Sequence, residues 1–130
     1  MKRIRLILHA TDFSRASAAA FARAVELARH DRAGLFLLHV VLPASPFLAG
    51  DVNLPPSYLE LQARARRQAE GRLADGAPAQ EILKWARRKR AGLIVIGTHG
   101  RSALGRFVMG SVAERVVRLA TIPVLTVRGR

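Results

Sequence analysis

The stretch 94-IVIGTHGRSALGRFVMGS-111 decides how this chain is expected to fold. The four apolar residues 93–96 run directly into Gly97, a second glycine follows at Gly100, and Gly110, beyond Gly105, stands immediately before a serine. A short run of branched apolar residues is typical of a strand buried on both faces of a parallel sheet. Glycines directly after such a strand predict a sharp turn or a close approach between backbone and ligand.

The remainder of the chain alternates between similar apolar runs and stretches with helical spacing, with Gly34 as the expected end of the first helix. The predicted strands are residues 4–10, 35–41, 92–97 and 123–127. The predicted helices are residues 14–32, 57–73, 78–90 and 111–120. Strands that alternate with helices favour right-handed crossovers. We therefore predict one α/β domain over residues 1–130, an open parallel sheet with helices on both faces.

Composition narrows the function classes. The chain has no cysteine, which excludes thiolate metal sites and thiol catalysis. Its formal net charge of +13 leaves open a nucleic-acid or other anionic partner, or simply solvated helix faces. Aromatic residues make up 5% of the chain, which argues against a stacking platform for single strands. No apolar run approaches the ~20 residues of a membrane span, so we expect a cytoplasmic protein.

The glycine pattern favours a site for phosphate groups. In open parallel sheets, ligands bind beyond the carboxyl ends of the strands, where the strand order changes direction. Gly97 stands at such an end, and Gly110 with Ser111 precedes the last predicted helix, whose free N–H groups favour an anion. Ordinary turn glycines are the alternative, because neither GxxxxGK[ST] nor GxGxxG is present.

The same residues resemble a known family. The pattern G-x2-G-x9-G-S, within "GTHGRSALGRFVMGSVAERVVRLATIPVLTV", resembles the nucleotide motif in the ATP-binding branch of the universal stress protein family. "ILHATDFSRASAAAFARAVELA" is similar to that family's first strand and helix, and "LFLLHV" to its second strand. The resemblance implies a Rossmann-like, adenine-nucleotide-binding fold with strand order 3-2-1-4-5. Since only 37 residues separate Val40 from Pro78, we expect strand 3 to be shortened or absent.

The resemblance also implies a set of binding residues for ATP, with Mg²⁺ possible alongside the nucleotide. The residues expected against the adenosine are Thr11, Asp12 and Val40. Those expected at the ribose and phosphates are Gly97, Gly100, Gly110 and Ser111, flanked by Ile96 and Val112. Asp12 could instead cap a helix, and His99 could contact a phosphate or remain a solvated loop side chain. His9 and His39, at strand ends, are expected to be packed, not catalytic.

We expect an ATP-binding regulatory protein of the stress response whose nucleotide state changes the binding of an unidentified protein partner. A slow ATPase or self-phosphorylating enzyme is one alternative, and a binder of nucleic acid or another anionic partner is the second. The resemblance and the apolar last strand together predict a homodimer through Pro123–Val127, since an unpaired edge invites pairing with a second copy.

Overall fold

A computed structural model describes residues 2–41, 69–75, 77–98 and 109–129. Within these residues, five parallel strands form one sheet whose order is β3-β2-β1-β4-β5. The strands are β1 Leu6–Thr11, β2 Gly34–Val41, β3 Ala69–Asp75, β4 Leu93–Gly97 and β5 Val124–Val127. The predicted α/β class with a parallel sheet is confirmed.

Three described helices cover the two faces of the sheet: α1 Arg15–Asp31, α2 Pro78–Arg88 and α3 Ser111–Leu119. Successive strand residues face opposite sides, so β1 sends Ile7 towards α1 and Leu8 towards α2 and α3. Phe21 fills the core on the α1 side, and Phe36 fills the core on the other side. No helix in this part of the chain has the length and apolar character that crossing a membrane requires.

The third strand corrects two predictions. β3 is neither shortened nor absent, because it pairs with β2 over seven residues, from Leu35 opposite Ala69 to Val41 opposite Asp75. The helix predicted to extend to residue 73 is therefore wrong over residues 69–73, which belong to this strand. The space between residues 40 and 78 suffices because β3 ends three positions before Pro78. As an edge strand, it needs no two-sided apolar pattern to hydrogen-bond with β2.

The remaining expectations for residues 42–68 lie outside the described residues. They are the first part of the second predicted helix, 57–68, and the Pro-rich stretch 42–56 that was expected to help cover the edge of β2.

The end of α1 differs from the prediction in a single residue. Arg32, and not Gly34, adopts the left-handed conformation that ends the helix, with φ of 53°. The N–H of Ala33 then donates to the carbonyl of Ala28 at 2.8 Å, which closes the last turn. Gly34 instead opens β2, where its N–H donates to the carbonyl of Arg5 at 2.8 Å.

Candidate functional site

The strand order changes direction between β1 and β4. The chain passes from β1 through α1 to β2 on one side, whereas β4 lies on the other side of β1, with Ala10 opposite Ile96. The carboxyl ends of β1 and β4 are therefore neighbours at the point where helices leave towards opposite faces. In an open parallel sheet, this is the position of the ligand crevice.

The turn from β1 into α1 is built by short polar side chains. The Asp12 carboxylate accepts hydrogen bonds at Oδ1 from the Ser14 N–H at 2.9 Å and from the Ser17 hydroxyl at 2.7 Å. Ser14 is the N-cap, since its hydroxyl accepts from the Ser17 N–H at 3.2 Å. Asp12 therefore does not cap α1 itself, as one alternative expected. Its carboxylate instead holds the capping Ser14 in place.

The same turn contains a strained residue. Phe13 has φ of 62°, a conformation that costs an L-residue roughly 1–2 kcal/mol. The Phe13 N–H donates to the hydroxyl of Thr11 at 3.1 Å. His39 of β2 supports the turn from the side, because its Nδ1–H donates to the carbonyl of Thr11 at 2.8 Å. The His39 ring also lies 4.4 Å from the Phe13 ring, between centroids, which is the packed role expected for this histidine.

Gly97 allows the first turn of α1 to lie directly on the end of β4. A Cβ at Gly97 would stand 2.8 Å from the carbonyl carbon of Ala16, closer than real Cβ contacts come. Gly129, after β5, approaches Ala16 in the same way, with 2.7 Å between its virtual Cβ and the Ala16 Cα. Gly97 therefore has a packing role that is independent of any ligand.

The N-terminus of α3 is held at this edge by backbone hydrogen bonds. Thr98, directly after β4, donates its N–H to the carbonyl of Val127 at 2.9 Å and accepts from the Gly110 N–H at 2.5 Å. Gly110 is the N-cap of α3, and none of the described side chains caps this helix. Ser111 is exposed. As far as the described residues show, the first-turn N–H groups and the positive end of the helix dipole face no competing side chain and suit an anion.

Thr98, which the sequence motifs do not single out, lies at the candidate site directly after β4. Its hydroxyl oxygen is buried, and it finds no hydrogen-bond partner among the described residues. Unpaired buried hydroxyls are uncommon and costly, roughly 1–3 kcal/mol each. The available signal was its position directly after Gly97, where a hydroxyl adjoins the predicted phosphate site.

Three apolar residues of the predicted site share one face of the sheet, the face covered by α2 and α3. Ile96 is almost fully buried, at 6% exposure, while Val40 and Val112 are half-buried against the same core. His99 and Gly100 lie outside the described residues. The structure thus brings Thr11, Asp12, Gly97 and Gly110 to one edge, with an apolar wall on one side.

His9 lies in the dry interior, away from the crevice. It is fully buried, and its Nδ1–H donates to the carbonyl of Val95 at 3.0 Å. Burial lowers the pKa of His9 to about 4, which outweighs the raising effects of the Val95 hydrogen bond and of Asp12. The ring is therefore neutral at pH 7, with Nε2 unpartnered among the described residues. It is a packed residue, as expected.

Two further features bear on what the crevice can hold. Among the described residues, no group of three His, Asp or Glu side chains could bind a metal ion.

A cavity of about 150 Å³ lies at the opposite edge, between the C-terminal ends of α2 and α3, with Leu83 and Leu119 in its wall. That cavity is not part of the crevice at the carboxyl ends of β1 and β4.

The chain matches proteins of one family along almost its whole length. The model of the universal stress protein family matches residues 3–128. Universal stress protein YxiE of Bacillus subtilis is 36% identical over 144 aligned residues, which cover 94% of this chain and 97% of YxiE.

Solved structures agree. UspA of Lactobacillus plantarum superimposes with a TM-score of 0.78 at 27% identity, covering 98% of this chain and 100% of UspA. A universal stress protein in complex with cAMP superimposes with a TM-score of 0.75, also at 27% identity, over 99% of this chain and 100% of its own. The extent of these matches leads to one conclusion: the chain belongs to the universal stress protein family.

Proposed function

We propose that this protein binds ATP in the crevice between β1 and β4 and acts as a regulatory protein of the stress response. The observation that carries the proposal is the start of α3. Gly110 caps this helix without a side chain, and its N–H is tied to the end of β4 through Thr98. An uncapped helix N-terminus at the switch point of a parallel sheet suits a phosphate group.

The start of α2 gives a useful contrast at the same edge. Ala77 caps α2, also without a side-chain hydrogen bond. However, Pro78 at the first helical position has no N–H to offer an anion, and α2 follows the edge strand β3. Of these two helix starts, only that of α3 both offers first-turn N–H groups and follows β4, beside which the strand order changes direction.

In the proposed complex, the backbone around Gly97, Gly110 and Ser111 holds the ribose and phosphates, with His99 and Gly100 beside them. The hydroxyl of Thr98, which has no partner among the described residues, would gain one from the ligand. A buried hydroxyl that is unpaired without ligand and paired with it would add to affinity.

The adenosine would lie against Thr11 and Asp12, with Val40, Ile96 and Val112 forming the apolar wall. Val40 and Val112 are half-buried on the same face, so each retains apolar surface for a base to cover. Ile96 is almost fully buried, so we assign its contact to the backbone. The family member solved with cAMP supports an adenine nucleotide as the ligand class.

A magnesium ion would enter with the nucleotide and neutralise phosphate charge. Asp12 is the one carboxylate among the residues assigned to the proposed site, and its Oδ1 already accepts two hydrogen bonds. We therefore assign most of the metal ligands to phosphate oxygens and water, as Mg²⁺ commonly prefers.

We propose binding, and not turnover, as the activity. Of the described histidines on β1 and β2, His9 is closed to solvent and His39 donates through Nδ1 to a backbone carbonyl. Neither is placed to activate water. A role in which nucleotide occupancy changes the binding of a protein partner needs no such group.

We further propose a homodimer through Pro123–Val127. β5 lies at the edge of the sheet, and all four of its residues are half-buried. Pro123 accepts a hydrogen bond from Ile94 of β4 and Val127 accepts one from Thr98, directly after β4, so the backbone groups of Val124 and Thr126 point towards the free edge. Thr126→Pro removes one outward donor and keeps both inward acceptors. Light scattering is expected to show a dimer for the natural chain and a monomer for the variant.

The test of nucleotide binding uses the purified full chain. Isothermal titration with Mg-ATP and Mg-GTP is expected to give binding for ATP and little for GTP. Mass spectrometry of the denatured protein, freshly purified from cells, is expected to release an adenine nucleotide. If neither measurement detects an adenine nucleotide, the crevice has another ligand or none.

A further inference from the structure

The edge of the sheet opposite the crevice carries a concentration of positive charge. It contains Lys2, Arg3 and Arg5 before β1, Arg29 and Arg32 at the end of α1, and the run 87–90, Arg-Arg-Lys-Arg, at the end of α2. We call these residues the basic edge. Within the three segments, Asp31 is the single carboxylate.

The fold gathers these residues from distant parts of the sequence. Helices in right-handed crossovers run antiparallel to the strands, so helix C-termini and strand N-termini share one edge. The Gly34 N–H bonds the carbonyl of Arg5, and the Gly92 N–H bonds the carbonyl of Leu6, which brings the ends of α1 and α2 to the start of β1. Because α1 and α2 lie on opposite faces, the charge extends across the thickness of the domain.

Helix dipoles and local contacts account for part of this charge. Arg3 caps α1, donating from Nε and Nη2 to the carbonyl of Asp31 at 3.2 and 3.1 Å. Arg88 lies 5.3 Å from the centre of the Trp85 ring, and Lys89 lies 5.2 Å from that of Phe36.

Five arginines of the basic edge make no such contact: Arg5, Arg29, Arg32, Arg87 and Arg90. All five are exposed, and among the described residues none has a carboxylate within ion-pair distance. For Arg29 and Arg87, in the last turns of α1 and α2, the helix dipole favours a cation. Two of them, Arg32 and Arg90, occupy left-handed positions with φ of 53° and 55°, where glycine would fit without strain.

The chemistry of this surface favours the backbone of a duplex nucleic acid. The guanidinium group suits phosphate oxygens, because its fixed donors can bind two of them at once. A single strand would need exposed aromatic rings to stack on, but the described aromatic side chains, Phe13, Phe21, Phe36 and Trp85, are buried or half-buried. Membrane binding usually adds several inserted apolar groups. Of the two exposed large apolar residues of the described chain, Val117 and Leu119, only Leu119 lines the cavity beside Arg87 and Arg90.

We propose that the basic edge binds the phosphate backbone of double-stranded nucleic acid without reading its sequence. The proposal is independent of nucleotide binding, because the two sites lie at opposite edges of the sheet. Both sites could be occupied at once in one molecule.

The test measures the fluorescence anisotropy of a short labelled DNA duplex over a range of salt concentrations. Three proteins are compared: the natural chain, an edge variant with Arg29, Arg87 and Arg90 changed to Gln, and a control with Arg23, Lys84 and Arg115 changed to Gln. The control residues are exposed, one on each of α1, α2 and α3, before the last turn of each helix, with Arg23 and Lys84 each paired to a glutamate. Both variants have the same net charge, and thermal melting verifies that both fold.

We expect the edge variant to bind at least about tenfold more weakly than the natural chain at ~0.1 M salt. The slope of log K against log salt should become less steep by roughly two to three, about one for each lost phosphate contact. The control should lose far less affinity, and saturating ATP should not displace the duplex.

Other outcomes would overturn the proposal. Equal losses in both variants would mean that net charge alone attracts the duplex. Displacement by ATP would mean that the duplex phosphates occupy the crevice instead. Binding to vesicles of phosphatidylserine and phosphatidylcholine, without binding to the duplex, would identify a membrane surface.

Discussion

The sheet offers anions a different kind of surface at each end of its strands. At the carboxyl edge, where β1 and β4 end, the donors are backbone N–H groups at the start of α3, and Gly110 brings no side chain to that start. At the amino edge, where the strands begin and the basic edge lies, the donors are arginine side chains at the ends of α1 and α2. The carboxyl edge suits one compact ligand in a fixed position, whereas the amino edge suits an extended chain of charges.

The difference also concerns the backbone conformation that each edge uses. At the carboxyl edge, Gly97 is required because Ala16 leaves no room for a Cβ. At the amino edge, Arg32 and Arg90 occupy conformations that favour glycine. One edge thus lacks side chains where backbone must approach, and the other keeps charged side chains at a cost in strain. Each of the following predictions tests one side of this contrast.

The largest effect is expected from Gly110→Val. The backbone at Gly110 has φ of −59° and ψ of 154°, which a branched residue adopts freely, so the fold should survive. Bulk beside the first-turn donors should keep the phosphates away and weaken Mg-ATP binding by about 100-fold or more, roughly 3 kcal/mol. Isothermal titration measures the change.

The matched control for that variant is Ala77→Val. Ala77 caps α2 at the same edge, has φ of −73° and ψ of 121°, and also makes no side-chain cap. Its substitution should leave the affinity for ATP unchanged. Unchanged affinity in Gly110→Val would remove the start of α3 from the site, and equal losses in both would point to a general effect of bulk at this edge.

Much of the carboxyl edge was predictable because its information is local. An apolar run, Gly97, Gly100 and a Gly-Ser pair lie within eighteen consecutive residues. The parallel pairing of β1 with β4 then brings Gly97 next to the end of β1, where Thr11 and Asp12 stand. The packing role of Gly97 was not predictable, since it depends on how closely Ala16 approaches from another element. The unpaired hydroxyl of Thr98 likewise follows only from three-dimensional burial.

The amino edge and β3 show where sequence patterns carry too little information. Composition gave the net charge, but its concentration at one edge depends on the antiparallel course of helices and strands. The segment "AEGRLAD" has no strand pattern of its own. It forms a strand because it hydrogen-bonds along β2, which lies next to it in the sheet. The left-handed residue that ends α1 was predicted at Gly34, because glycine is the usual sequence signal for it, whereas Arg32 adopts that conformation in the structure.

The next prediction tests whether the sheet between the two edges stays dry. Burial lowers the pKa of His9 to about 4 in the folded protein, against an unfolded value near 6.5. Below pH 6.5, the unfolded state takes up a proton that the folded state refuses. Stability should therefore fall as the pH decreases from 6.5 to 4, by roughly 3 kcal/mol from this group.

Urea denaturation at several pH values measures that fall. His9→Leu, similar in size, removes the titrating ring, so its free energy of unfolding should decline less steeply over the same range. Parallel declines in both proteins would mean that water reaches His9 and that the two edges are not separated by a dry core.

A smaller effect, roughly 2 kcal/mol of destabilisation, is expected from Gly97→Ala. The added Cβ would stand 2.8 Å from backbone of Ala16, so α1 must shift. Gly92→Ala is the control at the other end of β4, since its Cβ would meet Ile4 at an ordinary 3.5 Å. Chemical denaturation compares the two variants. If Gly97→Ala proves as stable as Gly92→Ala, the glycine serves the ligand and not the packing.

The smallest effect tests the amino edge from the opposite direction. Arg90→Gly removes an L-residue from a left-handed position and should stabilise the fold by about 1 kcal/mol in denaturant titrations, and Arg32→Gly should act similarly. If the basic edge binds duplex nucleic acid, the same substitutions should also weaken duplex binding and reduce its salt dependence, while leaving ATP affinity unchanged. A gain in stability with no loss of duplex binding would mean that these two arginines are strained without serving that surface. A loss in both measurements would mean that their side chains stabilise the helix ends more than the left-handed conformation costs.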